Sequence, residues 1–185
     1  THPEVGDLRT SHDLGDLSLR PDGSQALVQV NFTNTGNGPE QFDLSFSSSL
    51  GWSTLADPGP FSLNAGEGVI VRVQVDVPLG SGGLTDTARL TATAQSGSGA
   101  ATISDNTVVK QTAGVDLAPD YTVSAPPGET HYFIHFLTNT GNGTDVFDVA
   151  LTSSLGWARL DTTVPITLGY GESAQVRVAV DVPAG

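Results

Sequence analysis

Hydrophobic and polar residues alternate with a period of two in several segments of the chain. From 69 to 77, valines occupy every odd position, and polar residues such as Arg72 and Asp76 lie between them. The segments 42–47 and 87–94 alternate in the same way. This period predicts β-strands with one buried side and one solvent-facing side.

The chain also carries a tandem duplication. The sequence Thr-Asn-Thr-Gly-Asn-Gly at 33–38 recurs at 138–143, which is 105 residues later. The same offset holds without a gap to the end of the chain and aligns Trp52 with Trp157. Between 31 and 80, roughly half of the positions are identical in the second copy, which indicates a repeated structural module.

Turn-forming residues separate the predicted strands. The 185 residues include 22 Gly and 11 Pro, and Asn-Gly, Pro-Gly and Ser-Gly pairs lie between the alternating segments. No segment keeps a helical period of 3.6 for three turns. We therefore predict an all-β chain of two tandem immunoglobulin-like Greek-key β-sandwiches.

The order of the motifs in each copy resembles a known module type. A strand is followed by Thr-Asn-Thr-Gly-Asn-Gly, Phe-Asp, Leu-Gly-Trp, Gly-Glu and a Val-x-Val-x-Val-x-Val-Pro strand. This order resembles the immunoglobulin-like repeats of bacterial and archaeal cell-surface proteins, including the NPCBM-associated domain family, over 31–80 and 136–185. The resemblance implies an exported, non-catalytic role. It identifies no ligand, because the shared residues are turn and core positions.

The predicted organisation is an N-terminal arm at 1–14, a first sandwich at 15–112 and a second sandwich at 113–185. The first copy continues into two strand-like segments, 85–95 and 101–110. The second copy lacks their counterparts, so the second sandwich is expected to be without its closing strands within this chain.

Three explanations stay open for these missing strands. The sequence is a fragment of a longer protein, its end was trimmed, or a neighbouring chain supplies a strand. The arm at 1–14 is a candidate donor, but it is polar and could replace one strand rather than two.

The repeated glycines and tryptophans have expected structural roles. The glycines of Thr-Asn-Thr-Gly-Asn-Gly are expected to adopt positive φ between two strands. Trp52 and Trp157 are expected to fold into the sandwich centres. A carbohydrate-binding platform would instead expose Trp52, Trp157 or Tyr170.

The charge of the chain excludes several classes of partner. It has 20 acidic and seven basic residues, with a formal net charge of -13. Such a chain has no basic surface for nucleic acid or for anionic lipid. Charged residues interrupt the apolar runs, so no direct membrane insertion is expected. The absence of cysteine excludes disulfides and thiolate metal sites.

The beginning of the chain bears on its expected location. It has no initiator Met, and Thr1-His2-Pro3-Glu4 does not resemble a signal peptide. We expect a mature or excised piece of a secreted or cell-surface protein.

One strand of the second copy carries large apolar residues on its nominally outward face. Tyr132, Ile134 and Phe136 lie on its nominally outward face, where the first copy has polar residues such as Gln29 and Asn31. Three large apolar side chains in a row predict an interface with a neighbouring repeat domain or a second copy in a homo-oligomer. The alternative is that loops of the same domain cover this face.

Histidines and carboxylates are the remaining candidates for chemistry. His131 and His135 share a strand face about 13 Å apart, too far to bind one zinc ion, and His2 and His12 lie in the arm. Candidate calcium ligands recur in both copies, although no Asp-x-Asp-x-Asp-Gly loop accompanies them. They are Asn37, Glu40 and Asp43, and Asn142, Asp145 and Asp148.

No nucleophile elbow or phosphate-binding loop is present either. We predict no catalytic residue, no metal site and no cofactor, and therefore a chain that is not an enzyme.

These patterns predict a non-catalytic structural module of a self-assembling fibre, pilus-like filament or surface layer. The alternative is a carbohydrate-binding or spacer module attached to a secreted enzyme or adhesin, with a surface glycan as partner.

Overall fold

The computed structural model describes residues 8–12, 25–97 and 99–185. These residues form β-strands and turns and contain no helix, which confirms the all-β prediction. The chain divides into two compact units. The first unit comprises Thr1–Pro78 and Gly83–Lys110, and the second comprises Leu79–Gly82 and Gln111–Gly185.

The first unit is a sandwich of two antiparallel four-stranded sheets. One sheet has the order β1-β2-β6-β4, formed by β1 (Leu8–His12), β2 (Gln25–Asn34), β6 (Gly68–Asp76) and β4 (Ser53–Leu55). The other has the order β5-β3-β7-β8, formed by β5 (Phe61–Leu63), β3 (Glu40–Ser48), β7 (Thr85–Ala94) and β8 (Ala100–Val108). The chain crosses between the sheets from β2 to β3 and from β6 to β7, as in a Greek-key sandwich.

The core of the first unit lies between these sheets. Val71, Val73 and Val75 of β6 point inward and are buried, as their alternation predicts. Phe32 packs edge-on against Phe42 and Phe61, with ring centroids 6.4 and 5.8 Å apart. Trp52 belongs to the same cluster. Each fully buried apolar side chain of this kind stabilises the fold by about 1.5–3 kcal/mol.

The second unit repeats one sheet and part of the other. Its four-stranded sheet has the order β12-β14-β10-β9, formed by β12 (Ala158–Leu160), β14 (Ser173–Asp181), β10 (Thr130–Asn139) and β9 (Val115–Ala118). Its facing sheet consists of β11 (Asp145–Phe147) and β13 (Ile166–Leu168). No strand of the described residues takes the place that β7 and β8 occupy in the first unit. The buried cluster is accordingly small and comprises Leu137, Leu168 and Val176.

The described part of the predicted N-terminal arm is β1. It pairs antiparallel with β2 of the same chain, from Leu8 opposite Asn34 to His12 opposite Val30. The rest of the arm, including His2, lies outside the described residues. No helix in the described part of the chain has the length and apolar character needed to cross a membrane.

Candidate functional site

The first Asn of each Asn-Thr-Gly-Asn-Gly segment is a structural anchor. Asn34 is fully buried, and its side-chain nitrogen donates to the carbonyl oxygens of Gly38 and Leu63, at 2.9 Å each. Its side-chain oxygen accepts from the backbone N–H of Gly36 at 2.9 Å. Asn139 makes the same three bonds in the second unit. The repeated motif therefore holds its loop against a neighbouring strand.

The expected positive φ of the glycines in this motif is wrong. Positive φ occurs instead in the Leu-Gly-Trp bends, at 73° for Gly51 and 72° for Gly156. Gly141 is constrained by close approach, because a Cβ there would lie 2.6 Å from the carbonyl oxygen of Thr112. The motif thus needs glycine in the second unit for space rather than for a left-handed turn.

A buried carboxylate that the sequence did not single out joins two elements of the first unit. Asp86, on β7, accepts hydrogen bonds from the hydroxyls of Ser48, Ser49 and Ser53 and from the backbone N–H of Leu50, at 2.7–3.1 Å. Burial raises the pKa of the Asp86 carboxyl, but the four donors outweigh it and the pKa is lowered overall. Asp86 therefore fastens β7 to the bend that precedes β4.

The predicted interface residues form an exposed row on β10, called here the outer stripe. Tyr132, Ile134 and Phe136 are 50%, 39% and 46% exposed. The described loops do not cover this row, contrary to the alternative in which loops of the same domain do so. The Arg177 guanidinium lies 5.1 Å from the centre of the Tyr132 ring, a cation–π distance.

Charged side chains flank the outer stripe. Arg159 forms ion pairs with Asp161 at 3.5 Å and Asp181 at 3.2 Å, and Arg177 pairs with Asp161. The Thr130 hydroxyl donates to Asp181 at 2.6 Å. This bond, followed by the Arg159 bond, lowers the pKa of the Asp181 carboxyl. The result is an apolar row with a polar rim, a composition common at protein interfaces.

The two strand histidines are held by neighbouring groups. His135 Nδ1 lies 2.8 Å from the Pro119 carbonyl oxygen, and the His131 ring packs edge-on against Phe133 at 5.2 Å. Tyr121 contacts both Phe133 and His135. Within the described ranges, no three His, Cys, Asp or Glu side chains come together as a potential metal site.

Three of the candidate calcium ligands accept hydrogen bonds from protein donors. Asp43 accepts from Gln95 Nε2 at 3.0 Å, and the Asp145 carboxylate accepts from the next backbone N–H. Glu40 bonds to the hydroxyl of Ser96, and this bond, the largest effect, lowers the Glu40 pKa. Protein donors thus engage the carboxylates of Glu40, Asp43 and Asp145.

The two repeated tryptophans differ in environment. Trp52 is 6% exposed, as expected of a core residue, whereas Trp157 is 38% exposed, so its predicted core position is wrong. The reason is that the facing sheet of the second unit consists of two three-residue strands. Tyr170 is also exposed, at 48%.

Comparisons with known proteins show distant structural likeness. No family model and no curated protein matches the chain. A protein of unknown function from Porphyromonas gingivalis W83 is 22% identical, with a TM-score of 0.43, over 95% of this chain and 84% of that one. A FixG-related protein from Vibrio parahaemolyticus is 12% identical, with a TM-score of 0.41, over 57% of this chain and 96% of that one.

The secreted serine protease VesC from Vibrio cholerae is 12% identical, with a TM-score of 0.40, over 98% of this chain and 47% of that one. None of these similarities carries a functional argument.

Proposed function

We propose that this chain is a non-catalytic structural module of an exported cell-surface protein. In this proposal it is a segment or subunit of a self-assembling fibre, pilus-like filament or surface layer. The outer stripe carries the proposal, because three large apolar side chains in a row on a solvent-facing sheet favour a docking surface. Its partner is a neighbouring repeat domain or a second copy of the chain.

The composition of this surface supports docking. Tyr and Arg are enriched at interfaces and at their energetic centres, and Tyr132 and Arg177 already stack on each other. Elsewhere the net charge of -13 favours repulsion between copies, so that association depends on specific patches. The repeated Asn-Thr-Gly-Asn-Gly motifs support a structural role, because Asn34 and Asn139 stabilise the two units.

The test is the association of the full chain in solution. We expect concentration-dependent assembly by sedimentation velocity, and ordered filaments or sheets by negative-stain electron microscopy. Ile134→Asp is expected to weaken assembly at least about 10-fold, because it places a charge in the apolar row. Gln29→Asp, at the equivalent exposed position of the first unit, is the matched control and leaves assembly intact. A chain that stays monomeric at high concentration contradicts the proposal, as does equal assembly of both variants.

A second candidate function is a carbohydrate-binding or spacer module attached to a secreted enzyme or adhesin. The exposure of Trp157 and Tyr170 favours it, since sugars stack on accessible aromatic rings. Trp52 is buried and takes no part. Glycan-array binding that disappears in Trp157→Ala, with an unchanged circular dichroism spectrum, supports this function. If the chain binds no glycan on the array, this second candidate function is excluded.

A further inference from the structure

We infer that the Asn37-Gly38 pair is a site of spontaneous deamidation in the folded chain, whereas the identical Asn142-Gly143 pair is protected. These are the two Asn-Gly pairs of the sequence, and they occupy equivalent positions in the duplicated hexapeptide. The reaction adds a carboxylate to the loop of the first unit and leaves the second unit unmodified. It is independent of the proposed function.

Deamidation at such a pair needs no enzyme and no cofactor. The backbone nitrogen of Gly38 attacks Cγ of Asn37, a bond forms between these atoms, and the bond from Cγ to Nδ2 breaks. Ammonia leaves with the proton of the Gly38 N–H, and a cyclic imide remains. Water then opens the ring at either carbonyl and gives aspartate or isoaspartate. Because glycine has no Cβ, the attacking nitrogen is unhindered and the backbone turns readily toward the amide.

In the first unit the reacting groups are accessible. Asn37 is exposed and lies in a bend between β2 and β3. Within the described part of the chain, neither the Asn37 amide nor the Gly38 N–H makes a hydrogen bond. Asn34 holds the loop through the Gly36 N–H and the Gly38 carbonyl oxygen. The attacking nitrogen and the amide under attack are therefore both free.

In the second unit the same groups are enclosed. Asn142 is 7% exposed, and its side-chain oxygen accepts from the N–H of Thr112 at 2.7 Å. Its backbone N–H donates to the Thr112 carbonyl oxygen at 3.0 Å, and its own carbonyl oxygen accepts from the N–H of Gly82 at 2.8 Å. Gly143 is buried, and a Cβ there would lie 2.5 Å from the carbonyl oxygen of Gly82. The Asn142 amide is thus fixed in place.

Reaction at the enclosed pair requires local opening of the second unit. The free energy of that opening lowers the rate at Asn142, whereas Asn37 reacts from the folded state. In the folded chain we therefore expect deamidation at Asn37 to be at least about 10-fold faster than at Asn142.

The experiment incubates the full chain at mildly alkaline pH, where more of the attacking nitrogen is deprotonated. Digestion after glutamate places the two pairs in separate peptides, 5–40 and 130–172. Mass spectrometry of both peptides follows the conversion of amide to acid with time, and protein isoaspartyl methyltransferase reports the isoaspartate formed. Product is expected at Asn37, with Asn142 remaining an amide.

Two variants test the assigned atoms. Asn37→Gln is expected to abolish the conversion in peptide 5–40, because its longer side chain does not form this imide readily. Gly38→Ala is expected to slow the conversion, because its Cβ hinders the attacking nitrogen. Neither substitution is expected to change the rate at Asn142.

The same incubation in concentrated urea is the matched control for the effect of structure. Both pairs follow Thr-Gly in the sequence, so they are expected to react at similar rates once the chain is unfolded. Loss of the difference between the two sites in urea supports the inference.

Three outcomes overturn the inference. Equal rates at the two pairs in the folded chain do so, as does an unmodified Asn37 under conditions in which the unfolded chain reacts. The third is a preference for Asn37 that persists unchanged in urea. The residues that follow the pairs, Pro39 and Thr144, would then set the rates rather than the fold.

Discussion

Two buried asparagines hold equivalent loops in the two units. Each satisfies two carbonyls and one N–H that are buried or partly buried and would otherwise lack partners. The side chain of Asn37, in the same hexapeptide as Asn34, is exposed. The two asparagines of the motif are therefore expected to contribute differently to stability, because Asn34 is buried and Asn37 is exposed.

Asn34→Ala is expected to destabilise the first unit by about 3 kcal/mol, because it leaves one buried carbonyl, one partly buried carbonyl and one partly buried N–H unsatisfied. Asn37→Ala is the control within the motif and is expected to change stability by less than about 0.5 kcal/mol. Urea unfolding of the full chain measures both. Equal effects of the two substitutions would show that Asn34 is not an anchor.

Asp86 makes the stability of the first unit depend on pH. Its folded pKa lies below the ordinary value of 3.8, so the ionised form stabilises the fold. This contribution is fully present above the unfolded pKa and is lost as pH falls from 3.8 through the folded pKa.

Asp86→Asn is expected to lower stability at pH 7 and to flatten the fall in stability below pH 3.8, because it removes the titrating group. Unfolding midpoints of the chain and the variant between neutral and acid pH test this expectation. Asp120→Asn, an exposed carboxylate, serves as the control. An unchanged acid slope in Asp86→Asn would refute the role assigned to the carboxylate.

The same strand sequence has different surroundings in the two units. β6 and β14 share the Val-Arg-Val and Val-Asp-Val-Pro patterns, and both alternate inward and outward. The inward valines of β6 are covered by a full facing sheet, whereas those of β14 face β11 and β13. Whether the inward side chains of a strand are buried therefore depends on the sheet opposite them rather than on the sequence of the strand.

Substituting the two equivalent tryptophans measures this difference in burial. Trp52→Ala is expected to cost about 3–5 kcal/mol, because it opens a cavity in a closed core. Trp157→Ala is expected to cost about 1 kcal/mol or less, because water already reaches the ring. Chemical unfolding of the two variants, monitored by circular dichroism, gives both values. Equal costs would mean that Trp157 is enclosed in solution.

At the scale of the whole molecule, the two units have cores of very different size. Among the described residues the buried cluster has 14 members in the first unit and three in the second. Stability rises with the apolar area removed from water. The duplication therefore yields two units of related structure and unequal stability.

The second unit is expected to unfold first. Hydrogen exchange with mass spectrometry should show rapid exchange at 148–152 and slow exchange at the equivalent 43–47, which β7 covers. Thermal unfolding should occur in two steps rather than one. A single cooperative transition with equal protection of both segments would contradict this expectation.

The sequence alone determined the class of fold, the duplication and the facing of the main strands. Period-two alternation and repeated turns depend on neighbours close in the chain, and for this reason Val71 and Phe42 were correctly placed inward. The outer stripe followed from the same local rule, because a side chain on a strand can take only one of two faces.

Tertiary structure decided everything that depends on contacts distant in sequence. Asp86 lies more than 30 residues from each of its donors, so no local pattern marks it as buried. The glycines of the repeated hexapeptide and the exposure of Trp157 were misjudged for the same reason, since space and cover are provided by remote elements. Local periodicity thus determines which way a side chain points, and the opposing sheet determines whether it is covered.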